Sequence, residues 1–452
     1  MEHQDRLVWK TKATTAIESR REELLELVSA LIRFPSENPP GNSYPITRFI
    51  ADYLGEAGIQ CEWHEATPGM WNLVARTSGG GPSPSSSPGS SSNTNLSMGT
   101  SATHGIGTAS PPRRLIFCGH TDVVPAGDLA RWPFDPYAGL RDDEWIYGRG
   151  ATDMKAGLAG LLYAAVTLKR EGVPLDGDLI VAVVPDEETG GRWGIPWLLE
   201  RGLLAGDGCI IAEPAFPYHP TIGQKGCIRL RLKLRGQPAH SALAPLLGRN
   251  AIASAALAMQ AIAAAAELPV HLPAAMQPLM ERSKQFLDEF GFRAESMILD
   301  RIAFNVGTIR GGTSVNVVPD YCELEADMRI PVGLAREQVL EAVKRRLEPL
   351  GPDVEIELFG IQSEPNWTDP DDSVCRTLTS NIEWLTGQPS YGVLQWAASD
   401  ARHFREYGIP VLQYGPADLS TIHQYGERAP VKDTVRAAQV FAATAIDYLN
   451  GG

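Results

Sequence analysis

The sequence has no run of eighteen apolar residues, so no membrane-spanning helix is expected. Positive charge is scarce: 40 Lys and Arg against 54 Asp and Glu leave a formal net charge of −14. Nucleic acid and anionic membrane both need a basic patch, so neither is an expected partner. The first residues, MEHQDRLVWKTK, contain no apolar stretch of the kind a secretory leader carries, so no signal peptide is expected. Six cysteines (Cys61, Cys118, Cys209, Cys227, Cys322, Cys375) form no CxxC pair. Several fall in apolar runs, where a reduced thiol is a small hydrophobe. No internal repeat occurs. The expectation is a soluble, reduced, cytoplasmic protein, with 452 residues enough for two or three domains.

Composition predicts a lack of order in one place. Thr77 to Arg114 is almost pure Ser, Gly, Thr and Pro and cannot bury enough apolar surface to fold. It separates the strand-like WNLVAR from LIFCGH, which reads as a hairpin turn lengthened by a flexible insertion.

Around it the pattern is regular. Ala16 to Phe34 has helical spacing of charged and apolar residues. From Leu115 to about Ala215, strands (LIFCGH, LIVAVV, GCIIAEP) alternate with helices (MKAGLAGLLYAAVTLKR, IPWLLERGL), predicting an α/β sheet with a parallel portion. Functional groups in such sheets gather past the carboxyl ends of strands, where HTD, DEE and EP all fall. From Gly226 the pattern changes. CIRLRLKLRG alternates like a half-exposed strand, an Ala-rich helix follows, and two further strands, a helix and DVEIELFG complete an inserted α+β module. The tail returns to α/β style.

The densest chemistry is VVPDEETGG, Val183 to Gly191, where Asp186, Glu187 and Glu188 stand together at a strand end. Two carboxylates about 5 Å apart repel by roughly 3 kcal/mol at an effective dielectric near 20. His120 and Asp122 lie two apart, on one side of an extended segment, with Asp122 able to accept the second ring N–H of a ligand histidine. Asp153 follows a glycine-rich turn and alone could cap the next helix. Glu213 ends a strand, His423 sits in a loop, and His240 lies in the inserted module. Together, two histidines, one shared acid and two glutamates form a carboxylate-rich site for two divalent metals such as zinc, cobalt or manganese. Cations offset the repulsion inside DEE, with Glu188 coordinating and Glu187 free to act as a base.

The blocks GHTDVVPAGD, GRGATDMKAG, PDEETGG, AEP and GQPAHS, in that order, resemble the signatures of the M20 metallopeptidase family. That family includes acetylornithine deacetylase, succinyl-diaminopimelate desuccinylase, aminoacylase and glutamate-releasing carboxypeptidases. The resemblance implies a two-domain, zinc-exopeptidase-like α/β fold. The catalytic domain would comprise residues 1–224 and 360–452. An α+β ferredoxin-like lid and dimerisation domain would span 225–359, its end falling within 333–360. Two Zn²⁺ per chain are implied, with Co²⁺ or Mn²⁺ as substitutes. His120 and Glu213 would hold one, Glu188 and His423 the other, and Asp153 would bridge them. Asp122 would orient His120 and Glu187 would be the general base. The Asp153–Met154 peptide would be cis. His240 would stabilise the tetrahedral intermediate, often from across a homodimer. Asn316 and Arg329 would hold the substrate carboxylate, and Lys225 and Ser399 would line the substrate pocket.

The implied reaction is hydrolysis of a small amide, Glu187 moving the proton from water to the leaving amine. The expected activity is N-acyl amino acid deacylation, acetylornithine deacetylase-like. The alternatives are a dipeptidase or carboxypeptidase of the same family, and a non-catalytic binding relative. Two departures bear on substrate. Gln224 and Lys225 stand where desuccinylases have paired arginines, which weakens support for a succinyl group. Trp396, Ala397 and Ala398 replace a glycine-rich run that lines the family's pocket.

Overall fold

The computed structural model describes residues 1–77, 112–244 and 246–451. Two sheets carry the architecture. The larger runs through Cys61–Thr67, Met70–Thr77, Asp178–Val184, Arg114–His120, Gly208–Ile211, Val411–Gln413, Thr221–Gln224 and Asn366–Trp367, and Val393–Gln395 pairs with Thr221–Gln224. Its centre is parallel, with Arg114–His120 between Asp178–Val184 and Gly208–Ile211. These strands are continuous apolar runs because helices cover both faces. The helix Ala156–Arg170 is apolar on nearly every side and buried along most of its length. Val431–Asn450 packs against it, and His3–Ser19 packs against Val431–Asn450 in turn. Among the described residues no helix is long and apolar enough to cross a membrane.

The hairpin expected around the Ser/Gly-rich stretch does not form. Asp178–Val184 lies between Met70–Thr77 and Arg114–His120, antiparallel to the first and parallel to the second. Opposed strand directions fit a hairpin and a one-strand skip equally well. The more apolar run takes the central, doubly buried place. Residues 78–111 of the stretch itself lie outside the described residues.

The smaller sheet is antiparallel, in the order Ala303–Gly311, Tyr321–Ile330, Gly226–Arg235, Val354–Ser363. Ile228, Leu230, Leu232 and Leu234 face a separate core shared with Ala251–Ala265 and Arg336–Leu347. On the opposite face, Arg231 meets Glu325 at 2.7 Å and Glu357 at 3.2 Å, and Lys233 meets Glu357 at 2.8 Å. CIRLRLKLRG is therefore an interior strand, not a half-exposed edge. Alternation states which face is buried. The acids of the two flanking strands decide what lies on either side. One of the sheet's two edges is Ala303–Gly311, where Phe304 and Ile309 are 42% and 48% exposed.

Two helices with no sequence-based expectation, Gln277–Glu289 and Arg293–Ile298, leave the small sheet and pack on the large core through Met280, Phe286 and Leu287.

One close approach ties the large sheet to its covering helix. A Cβ on Gly157 would stand 2.0 Å from the Ala212 carbonyl oxygen. Gly157→Ala must push the helix off the strand end that precedes Glu213. It is expected to lower stability by about 1–3 kcal/mol in urea unfolding.

Candidate metal centre

Parallel strands deliver their carboxyl ends to one side of the sheet. His120 ends its strand, Glu213 follows Ile211, and the turn Asp186–Glu188 follows Val184. Asp153 arrives from the turn before Ala156–Arg170. It does not cap that helix, whose N-cap is Lys155. The Asp153–Met154 peptide is cis. His423 comes from a loop late in the chain with φ 59°, the only left-handed non-glycine among the described residues.

These side chains converge. His120 Nε2 lies 3.2 Å from Asp153 Oδ1 and 3.8 Å from Glu213 Oε1. His423 Nε2 lies 3.3 Å from Asp153 Oδ2 and 3.4 Å from Glu188 Oε2. The result is two triads, His120–Asp153–Glu213 and Asp153–Glu188–His423, each with donor atoms within 4.8 Å of one another. Asp153 gives one oxygen to each. Glu187 belongs to neither.

Asp122 does more than the HxD spacing implies. His120 Nδ1 lies 2.9 Å from the Asp122 carbonyl oxygen and 3.4 Å from its Oδ1, so the main chain is the nearer partner. The carboxylate also accepts the N–H groups of Glu187 and Glu188, both at 3.2 Å, and Asn38 Nδ2 at 3.0 Å. An extended HxD can present either oxygen to the ring, and only the returning DEE turn decides which. Asn38 and Glu427 were not anticipated. Asn38 sits in a proline-rich segment with no motif. Glu427 Oε1 accepts the N–H groups of Thr152 and Asp153, and its one sequence signal is its nearness to His423.

The electrostatics fit cations. Burial, then Glu213, raises the Glu187 carboxyl well above its usual range, while burial, then Asp153, does the same to Glu213. Burial also raises Glu188. Glu188 Oε1 is buried with no hydrogen-bond partner. Nitrogen and carboxylate donors around an unpartnered buried oxygen suit a borderline divalent ion.

The remaining expected residues lie elsewhere in this chain. His240 is exposed, and its Nδ1 accepts the Ala242 N–H at 3.2 Å, capping its own turn. Asn316, also exposed, is next to it: the Asn316 carbonyl accepts the Ser241 N–H at 3.0 Å. Arg329 pairs with Asp327 at 2.6 Å. Lys225 is 2% exposed and donates to the Ile298 and Arg301 carbonyls at 2.9 and 2.6 Å. Ser399 is buried against Gln224, Oγ to Oε1 at 3.0 Å. Lys225 and Ser399 thus brace the interior and present no free group to a substrate. For Lys225 the reason is the end of the helix Arg293–Ile298 and the turn after it, whose carbonyls need donors. Trp396 stacks on Phe292 just beyond that helix's start, centroids 6.2 Å apart.

Neighbouring carboxylates favour the protonated form of both histidines. Hydrogen bonds accepted by Asp153, then Glu188, push His423 up to about 10. Burial opposes charge on His120, but Asp122 and Asp153 outweigh it and raise it well above its usual value. Cation uptake must displace these protons, so affinity falls as pH falls. Titration in buffers of different ionisation enthalpy at pH 7.5 is expected to show net proton release on cation binding, from the ligand histidines and from the ligand glutamates whose carboxyls are raised.

A model of peptidase family M20/M25/M40 matches residues 116–447. A succinyl-diaminopimelate desuccinylase from Paracoccus denitrificans is 27% identical over 428 residues, covering 92% of this chain and 96% of its own. The crystal structure of an M20 family metallo-carboxypeptidase from Sulfolobus solfataricus superposes with a TM-score of 0.74 at 18% identity, covering 95% of this chain and 99% of that one. A dinuclear metal-binding M20 peptidase from Bacillus subtilis gives a TM-score of 0.63 at 17% identity, covering 96% and 99%. With most of its length inside the family match, and with the two triads seated where that fold's parallel strands end, the chain belongs to peptidase family M20/M25/M40.

Proposed function

We propose that this metal-dependent amidohydrolase removes the acyl group from an N-acyl amino acid, using two zinc ions per chain, with cobalt or manganese as substitutes. The observation that carries the reading is the pair of triads sharing Asp153. His120 and Glu213 would hold one ion, Glu188 and His423 the other. Bound divalent cations supply Lewis acidity and lower the pKa of water. The chain's own residues do the rest. Glu187, outside both triads, takes the proton of the attacking water and passes it to the leaving nitrogen as the C–N bond breaks. Asp122 holds Glu187 in place through its backbone N–H. A depressed affinity of this carboxylate for cations, relative to Glu188, follows from its place outside the donor sets.

The class of substrate is supported by the desuccinylase relatives. The acyl group is a separate matter. Gln224 is tied to Ser399 and the Lys225 ammonium to two carbonyls, so neither offers charge to an acyl-chain carboxylate. This supports a neutral acyl group over succinyl. A turnover panel of N-acetyl, longer N-acyl and N-succinyl amino acids, with dipeptides beside them, tests the reading. Cleavage of dipeptides alone would move the assignment to a peptidase.

The 225–359 segment is proposed as lid and homodimer contact. Its exposed edge strand carries Phe304 and Ile309, and the neighbouring helix exposes Ile252 and Leu257. His240 and Asn316 would then serve the partner's centre.

Glu187→Gln is expected to keep full zinc content by elemental analysis and lose about 10²-fold or more in kcat. Phe304→Lys with Ile309→Lys is expected to give monomers in sedimentation velocity, because like charges directly facing across a paired edge oppose association.

A further inference from the structure

Glu427 is fully buried, four residues after His423. Its Oε1 accepts the N–H groups of Thr152 and Asp153, each at 3.1 Å. Its Oε2 pairs with Arg149 Nη1 at 2.5 Å. Arg149 is 3% exposed and lies over the Trp132 ring. The Glu427 carbonyl also accepts the Gly148 N–H at 2.9 Å. Further ties join the same two segments: Asp418 N–H donates to Thr152 Oγ1 at 3.3 Å, and Thr152 Oγ1 donates to the Arg428 carbonyl. The turn that carries Asp153 and the loop that carries His423 are distant in sequence, and they meet on one side chain.

An ion pair alone would need only one carboxylate oxygen. The other is aimed at two consecutive amides, one of them Asp153's own. A shared ligand must present its two oxygens in two directions at once, which requires a fixed Cα and a fixed backbone plane. We propose that Glu427, held by Arg149, is a positioning residue for the metal centre: it anchors the Asp153 backbone so that one carboxylate serves both triads, and it sets the register of the His423 loop against that turn. This rests on the two-cation reading above. Because Asp153 is common to both triads, loosening it weakens both sites together.

The test separates positioning from charge pairing. Arg149→Met with Glu427→Gln removes both charges but keeps an oxygen acceptor for the two amides. Arg149→Met with Glu427→Leu removes the acceptor as well. Neither leaves a lone buried charge, the usual cause of severe destabilisation. Full-length protein is stripped of metal, checked for native circular dichroism, and titrated with zinc against a competing chelator. The glutamine variant is expected to hold zinc within about threefold of wild type. The leucine variant should lose about 10–100-fold at both sites, the usual cost of removing a group that orients a ligand. Equal affinities for the two variants overturn the inference. A tenfold loss in the glutamine variant also overturns it, because its acceptor is intact, and that arm stands even if the leucine variant does not fold. Wild-type protein that takes up no zinc overturns the two-cation reading, and this inference with it.

Discussion

Asp153 divides its carboxylate between two histidines, and the rest of the site is arranged around that division. His120 Nε2 faces one oxygen and His423 Nε2 the other. These contacts outweigh burial and keep the Asp153 carboxyl well below its usual range. The glutamates around it go the other way. Glu187, Glu188 and Glu213 are buried beside one another and beside Asp153, so each resists ionisation. Such a cluster needs protons or cations, and the proposed divalent ion in each triad would remove the conflict for the ligands and leave Glu187 free as the proposed base.

Holding that arrangement is largely a backbone matter. Asp122 accepts the amides of Glu187 and Glu188, and Glu427 accepts those of Thr152 and Asp153. Both anchors are buried acids that grip main chain on either side of the cluster. A residue gripped at its own amide cannot shift its Cα or backbone plane without breaking a buried hydrogen bond, so the main chain that carries the candidate ligands is held in place.

The smaller sheet follows a separate logic. Its interior strand puts leucines on one face and basic residues on the other, and acids from both neighbours complete a ladder of ion pairs. The helices Gln277–Glu289 and Arg293–Ile298 leave this sheet and bury Phe286 and Leu287 in the large core. Lys225, at the junction of the two sheets, secures the end of the second helix. A lysine that motif matching suggests for substrate is thereby drawn into structure.

The convergence of several candidate ligands was legible in the sequence because they sit at strand ends that apolar runs announce. LIFCGH, LIVAVV and GCIIAEP each declare a buried parallel strand, and parallel strands bring His120, Glu188 and Glu213 to one side whatever the details. Asp153 and His423 were legible only as members of the whole set of acids and histidines, since each alone is an ordinary turn residue. What spacing cannot carry is lateral arrangement. Period-two alternation in CIRLRLKLRG marks a buried face but not its neighbours. Antiparallel direction in WNLVAR and LIFCGH does not reveal the strand between them. The Asp122 carboxylate, the Glu427 anchor and the interior place of Lys225 depend on segments that meet only after folding. Local sequence determines which groups are polar, apolar or chargeable. Tertiary structure alone decides which unpaired amide or carbonyl lies within 3 Å of each, because a hydrogen bond is won by proximity between segments that the chain does not place side by side.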